Sequence, residues 1–289
     1  AKLLGPGLDI TAKLLLERLT PAQVGFGRFL AQTIVLLPIV VLLRQWTRPV
    51  RLHAAAGIFL GLSLYAFNSA LEHMPLANAI SIFFVEPLIL TLLASLLLGE
   101  RLGWRRLSAV AVGLVGALIV LRPNVGMYGW PAAWPLAAAL LFACYMLATR
   151  VMAIRGSRLA LQFWTGVFAM VTLGIATLLG AATGGPSAAP PMPNGRELLL
   201  FAAMGALAAV AHQMIANALA RVDAGVVAPF QYLEIIAATL LGWLVFGDFP
   251  DPVTWLGTAI IVGAGIYAFH RERTLARAGL GTGGPPAPT

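Results

Sequence analysis

The chain has 289 residues, of which 60% are hydrophobic and only 10% charged, and its 19 Lys and Arg against 11 Asp and Glu give a formal net charge of +8. Such apolar content excludes an ordinary soluble domain, and because the basic residues sit mostly between apolar runs rather than in a stripe with aromatics, it also excludes a nucleic-acid footprint. The single cysteine, Cys144, excludes an intrachain disulfide framework and a multi-cysteine metal site.

Apolar runs near the roughly 20 residues that a bilayer core requires predict helices over residues 1–18, 21–44, 53–73, 75–98, 104–122, 131–153, 158–182, 196–220, 224–246 and 252–270. The first is interrupted by Lys2, Asp9, Lys13 and Glu17 and loosened by Gly5, Pro6 and Gly7, so hydropathy alone would reject it. It is retained because a shift of 137 positions lays Lys13 on Arg150 of the sixth helix, and because the chain opens at Ala1, its first turns are taken to be missing. It lacks the clean apolar stretch and cleavage site of a signal peptide. The segment 182–195 is rich in Pro and Gly and reads as a loop, and the tail 274–289 has too little apolar content to fold alone and is expected to be disordered.

A shift of 148 positions superposes residues 70–122 on 218–270 without a gap, laying Glu86 on Glu234, Gly99 on Gly247 and Glu100 on Asp248. The fold class read from this is all-α: a polytopic membrane protein of ten transmembrane helices in two five-helix repeats, residues 1–123 and 131–270. Alternate loops differ sharply in basic content. With the N-terminus inside, thirteen arginines (44, 48, 51, 101, 105, 106, 150, 155, 158, 221, 271, 273 and 277) lie on the inner side against Arg18, Arg122 and Arg196 outside. An odd number of helices per half then requires the second copy to enter in the opposite direction, which makes the repeats inverted.

The stretch Met74-Pro-Leu-Ala-Asn-Ala, continuing through Glu86-Pro87 to Leu96-Leu-Leu-Gly-Glu-Arg-Leu and then Gly113-Leu-Val-Gly-Ala-Leu-Ile-Val-Leu-Arg-Pro123, resembles an EamA domain of the drug/metabolite transporter superfamily. The resemblance covers all ten helices, with Gly247-Asp248 departing from the Gly-Glu pattern in the second copy. It implies alternating access and transport of small metabolites across the inner (cytoplasmic) membrane, with both termini cytoplasmic. It implies no catalytic activity, and no cofactor or nucleic-acid partner is expected. The main reading is export of neutral or aromatic amino acids and related metabolites; the alternative is import of a vitamin, cofactor or nucleotide-like compound. One chain of ten helices is enough to enclose a cavity, and a dimer is compatible with it.

Polar groups in apolar helices are tolerated where they face protein or water, and this selects the candidate cavity residues. Gly61, Tyr65, Asn68 and Glu72 share a face of the third helix, with interhelical hydrogen bonding as the alternative role. The eighth helix offers His212, Gln213 and Asn217, whose amides hold a substrate head group or a neighbouring helix. Phe84, Trp164, Phe168, Phe230 and Tyr232 lie deep enough to form an aromatic wall, or else face lipid. Glu86, beside the helix-bending Pro87, and Glu234 are either proton-coupling carboxylates or structural ones. Asp9 and Lys13, at i and i+4, are expected to neutralise each other. Gly57 with Gly61, Gly113 with Gly116 and Ala117, and Gly263 with Ala264 and Gly265 are expected to let helix backbones approach closely. The other histidines, His53, His73 and His270, are too scattered for a metal site. No nucleophile and base pair suggests an intramembrane enzyme, and no ring of like polar groups suggests a channel.

Overall fold

The computed structural model describes residues 4–98, 104–152, 157–183, 191–221 and 233–277. These carry α-helices and one 3-10 turn, with no strand among the described residues. In chain order they are α1 (Gly5–Leu16), α2 (Pro21–Leu42), α3 (Arg51–Leu71), α4 (Leu76–Phe83), α5 (Glu86–Leu98), α6 (Trp104–Tyr128), α7 (Trp134–Met152), α8 (Arg158–Ala182), α9 (Gly195–Arg221), α10 (Leu233–Phe246) and α11 (Pro252–Arg277).

Among the described residues six stretches are long and apolar enough to cross a bilayer, one of them Leu76–Leu97, which takes in both α4 and α5; Glu234–Phe246 and Pro252–Tyr267 are shorter apolar helices. Large apolar side chains face outward along them, with Leu96, Leu178 and Leu244 each at least 70% exposed, as only a lipid solvent permits. Trp104 and Trp130 are exposed at helix ends, the interfacial position that suits an amphipathic ring.

Local chemistry sets the helix starts. Thr20 caps α2 by accepting from the Gln23 N–H while the Gln23 side chain accepts from the Thr20 N–H, and Pro21 occupies the first turn, where its missing donor costs nothing. Ser157 caps α8, Asn194 and Glu197 cap α9 reciprocally, and Asp251 caps α11. The predicted fourth helix is two: after α4 the chain turns at Phe84 and Val85, and α5 starts at Glu86. Pro87 has no N–H to continue α4, so the break falls where the sequence placed a bend. Two boundaries differ from expectation. Helix α6 runs past Pro123 to Tyr128, and α11 runs to Arg277, so the first residues of the expected disordered tail are helical; the remainder of that tail lies outside the described residues.

The repeat is visible in the contacts. A Cβ on Gly57 of α3 would strike the α8 backbone, 2.8 Å from the Thr165 carbonyl oxygen and 3.0 Å from the Ala169 nitrogen. One shift of 148 later, a Cβ on Gly205 of α9 would lie 2.6 Å from the Ala31 carbonyl carbon and the Gln32 nitrogen of α2. Equivalent helices also meet each other directly. On α6 and α11, Gly113 lies against Ala264, Gly116 against Ile260 and Val120 against Gly257, so the two run antiparallel. On α2 and α8, Gly25 meets Leu173 and Thr33 meets Gly166, again antiparallel. Helices that correspond in sequence but oppose in direction are what inversion of one half demands. Of the glycines expected at such crossings, Gly57, Gly61, Gly113 and Gly116 are there, whereas a Cβ on Gly263 would meet nothing within 4 Å and Gly257 makes the α11 contact instead.

Candidate functional site

Half-buried charged groups gather around α1, which packs against both α2 and α10. Helix α1 carries Gly5 and Asp9 one turn apart on the same face. The Glu234 carboxylate, at the start of α10, lies against Gly5 so closely that a Cβ there would overlap its Oε1. Glycine is the residue that admits that approach. Asp9 feels the like charge of Glu234 and the opposite charge of Arg28, which projects from α2. Protein surrounds both Asp9 and Arg28, yet both keep accessible surface, as does Glu234. Partial exposure of ionisable groups in an apolar bundle is what a solute-facing wall would require. The Arg28 Nε is buried with no hydrogen-bond partner, and Gln32, one turn further along α2 and 2% exposed, has an unpartnered Oε1.

An aromatic series runs through the same bundle. Phe67 of α3 meets Phe83 of α4 with ring centroids 5.4 Å apart, Phe83 meets Phe142 of α7 at 5.5 Å, and Phe142 meets Tyr145 at 5.2 Å. Phe142 is the position that a shift of 137 places on Gly5, and Glu86 is the mate of Glu234. Asp9 and Arg28 come from the first half and Glu234 from the second, and the rings are likewise shared, Phe67 and Phe83 from the first half and Phe142 and Tyr145 from the second.

Asp9 does not neutralise Lys13. Lys13 Nζ instead donates to Asp248 Oδ2 at 2.6 Å, and the ammonium lies 4.5 Å from the Phe246 ring centroid. This pair joins the end of α1 to the turn after α10. Nearby, Arg18 grips Glu197 through two bonds of 2.7 Å and also donates to the Met192 carbonyl at 2.6 Å, pinning the α1–α2 turn to the start of α9.

The residues singled out from sequence separate into groups. Asn68 is fully buried and its Nδ2 donates to the Pro21 carbonyl at 3.2 Å, so its amide holds the start of α2. Tyr65 packs edge-on against Trp134 of α7 at 6.1 Å. Phe84 is buried in the core at the α4–α5 break. Trp164 donates its indole N–H to the Thr47 carbonyl at 2.8 Å and packs edge-on against Trp46 and Phe163, so it fastens the α2–α3 connection and is not grouped with the charged residues. Phe168 continues that cluster, 6.5 Å from Trp164. Glu86 is buried at the start of α5, where the positive end of the helix dipole favours a carboxylate. His212, Gln213 and Asn217 are on α9, with side chains outside what is described, and Phe230 and Tyr232 lie outside the described residues. A separate groove of about 350 Å³ between α2, α8 and α9 is lined by Val35, Leu36, Ile39, Leu43, Leu159 and other mostly apolar groups, chemistry that suits an acyl chain rather than a polar solute.

Sequence reasoning passed over Arg28. The signal was present, since a lone arginine inside an apolar run of 22 residues is costly unless it faces a cavity or a partner.

The sequence matches the EamA-like transporter family over residues 8–122 and again over 129–269, and the chain belongs to that family. It is a membrane transporter of small metabolites and not an enzyme. A riboflavin transporter of Rhizobium johnstonii is 33% identical over 224 residues, covering 76% of this chain and 70% of that protein. An S-adenosylmethionine uptake transporter of Rickettsia prowazekii is 27% identical over 270 residues, covering 92% of this chain and 88% of the relative. A crystal structure superposes with a TM-score of 0.63 at 21% identity, covering 94% of this chain and 97% of the other, and shares the fold.

Proposed function

We propose that this chain imports a small vitamin- or cofactor-type metabolite across the bacterial inner membrane by alternating access, through ten membrane crossings with both termini cytoplasmic. The observation that carries the reading is the likeness, over most of the chain, to carriers of riboflavin and S-adenosylmethionine. Both solutes join a flat heteroaromatic system to a polar part, and a cavity with charge on α1, α2 and α10 and rings on α4 and α7 offers each part a surface. Neither of these two relatives is named as an amino-acid exporter, so the importer alternative replaces amino-acid export as the main reading.

The cavity lies between the halves, and rocking one half against the other would expose it to each side in turn. Glu86 and Glu234 are the candidates for coupling this motion to protons, because a carboxylate in such a site binds either a proton or a cation. The test is flux of labelled S-adenosylmethionine and riboflavin into proteoliposomes, with and without a pH gradient, beside Glu86→Gln and Glu234→Gln. Saturable uptake of either solute is expected, with the gradient effect abolished in one variant. Uptake of neither, with amino acids crossing instead, would return the reading to export.

A further inference from the structure

We propose that Asp9, Arg28 and Glu234 form the subsite for a zwitterionic α-amino-acid head group, with the solute carboxylate on Arg28 and its ammonium between Asp9 and Glu234. The inference rests on the uptake reading above and narrows its substrate class. A guanidinium holds five N–H donors in a planar fork suited to a carboxylate. The Arg28 Nε is buried without a protein acceptor, and a buried donor left unmade costs free energy that a ligand oxygen would recover. Two carboxylates drawn together at the α1–α10 contact repel one another, and a cation between them relieves that repulsion. Two acids beside one guanidinium suit a head that carries a cation as well as a carboxylate better than a bare anion. Asp9 and Arg28 carry charge in the first half only, and Glu234 joins them from the second. The shift of 137 places Met146 on Asp9 and Thr165 on Arg28, so the head group has a single binding orientation while Phe142 and Tyr145 flank the other half for a ring.

The experiment measures binding to the purified full chain in detergent by competition against labelled S-adenosylmethionine, which carries this head. Methylthioadenosine, which keeps the nucleoside and lacks the head, and decarboxylated S-adenosylmethionine, which lacks only the carboxylate, are each expected to compete at least about tenfold more weakly. Arg28→Gln and Asp9→Asn are expected to weaken S-adenosylmethionine by about tenfold or more while leaving the already weak methylthioadenosine within about twofold. Equal competition by all three compounds in the unaltered protein would overturn the inference even if the variants fail to fold. Riboflavin binding and uptake without any S-adenosylmethionine binding would overturn the inference and leave the uptake reading standing. Binding of neither solute would overturn both.

Discussion

Burying an amide costs free energy unless it is bonded, and Asn68 offsets part of that cost by donating through Nδ2 to the Pro21 carbonyl, where the chain enters α2, while its buried Oδ1 has no partner. Replacing it with alanine removes this bond between α3 and α2 and empties a fully buried site. Asn68→Ala is therefore expected to lose about 1–3 kcal/mol of stability, read as a lower melting temperature in detergent, with solute affinity per folded molecule unchanged. An unchanged melting temperature together with lost binding would place Asn68 on the cavity wall after all. The sequence alone reads Asn68 and Tyr65 as one polar stripe because helical periodicity reports which face a residue occupies and not what lies opposite. Arg28 was missed for a complementary reason: counting basic residues in loops weighs topology and passes over a cation inside a helix. Asp9 and Lys13 illustrate the same limit, since i and i+4 neighbours can pair along one helix, but Lys13 found Asp248 at 2.6 Å, 235 positions away in the chain.

Each half is built from helices whose caps and breaks were largely written locally. Thr20-Pro21, Asp251-Pro252 and the Glu86-Pro87 break are short-range signals, and their structural outcomes follow from missing or supplied N–H partners. Asp251 is the clearest of them. Partial burial pushes its carboxyl up, but the Thr254 hydroxyl and the Thr254 and Val253 N–H groups outweigh this and hold it below its ordinary value of 3.8. A carboxyl depressed in the folded state gives stability that is fully present above about pH 3.8 and lost as pH falls through the lower folded value. Asp251→Ala is expected to cost about 1 kcal/mol near neutral pH, with the difference in melting temperature from the unaltered protein shrinking in acid. The α6–α11 crossing depends on a different signal. A Cβ on Gly257 would lie 2.8 Å from the Gly116 carbonyl oxygen and closer still to Val120, so Gly257→Leu is expected to force the helices apart and reduce monodisperse yield. Gly263→Leu, at a position open to 4 Å, is expected to be tolerated. Gly263 and Gly257 look alike in sequence, and only the register of two helices distant in the chain distinguishes them.

At the scale of the whole molecule, the proposed alternating access would turn one half against the other about the antiparallel α2–α8 and α6–α11 crossings. The charged cavity and the ion pair Lys13–Asp248 both lie along the contact between α1 and α10, with Glu234 at one end of α10 and Asp248 just beyond the other. If the halves separate there to admit solute, this pair must part in every cycle. Its free energy is small enough to allow that, since both side chains keep some exposure, 17% and 30%, and such pairs contribute roughly 1 kcal/mol or less. Covalent closure would not be reversible in the same way. With Cys144 first changed to serine, Lys13→Cys and Asp248→Cys joined by a short bis-thiosulfonate reagent are expected to abolish flux in proteoliposomes, and reductant is expected to restore it. The uncrosslinked double variant is expected to transport, because the loss of a half-exposed ion pair shifts the balance of conformations by no more than a few-fold. Flux undiminished by a crosslink confirmed on gels would mean that this seam stays shut throughout transport and that solute enters between other helices.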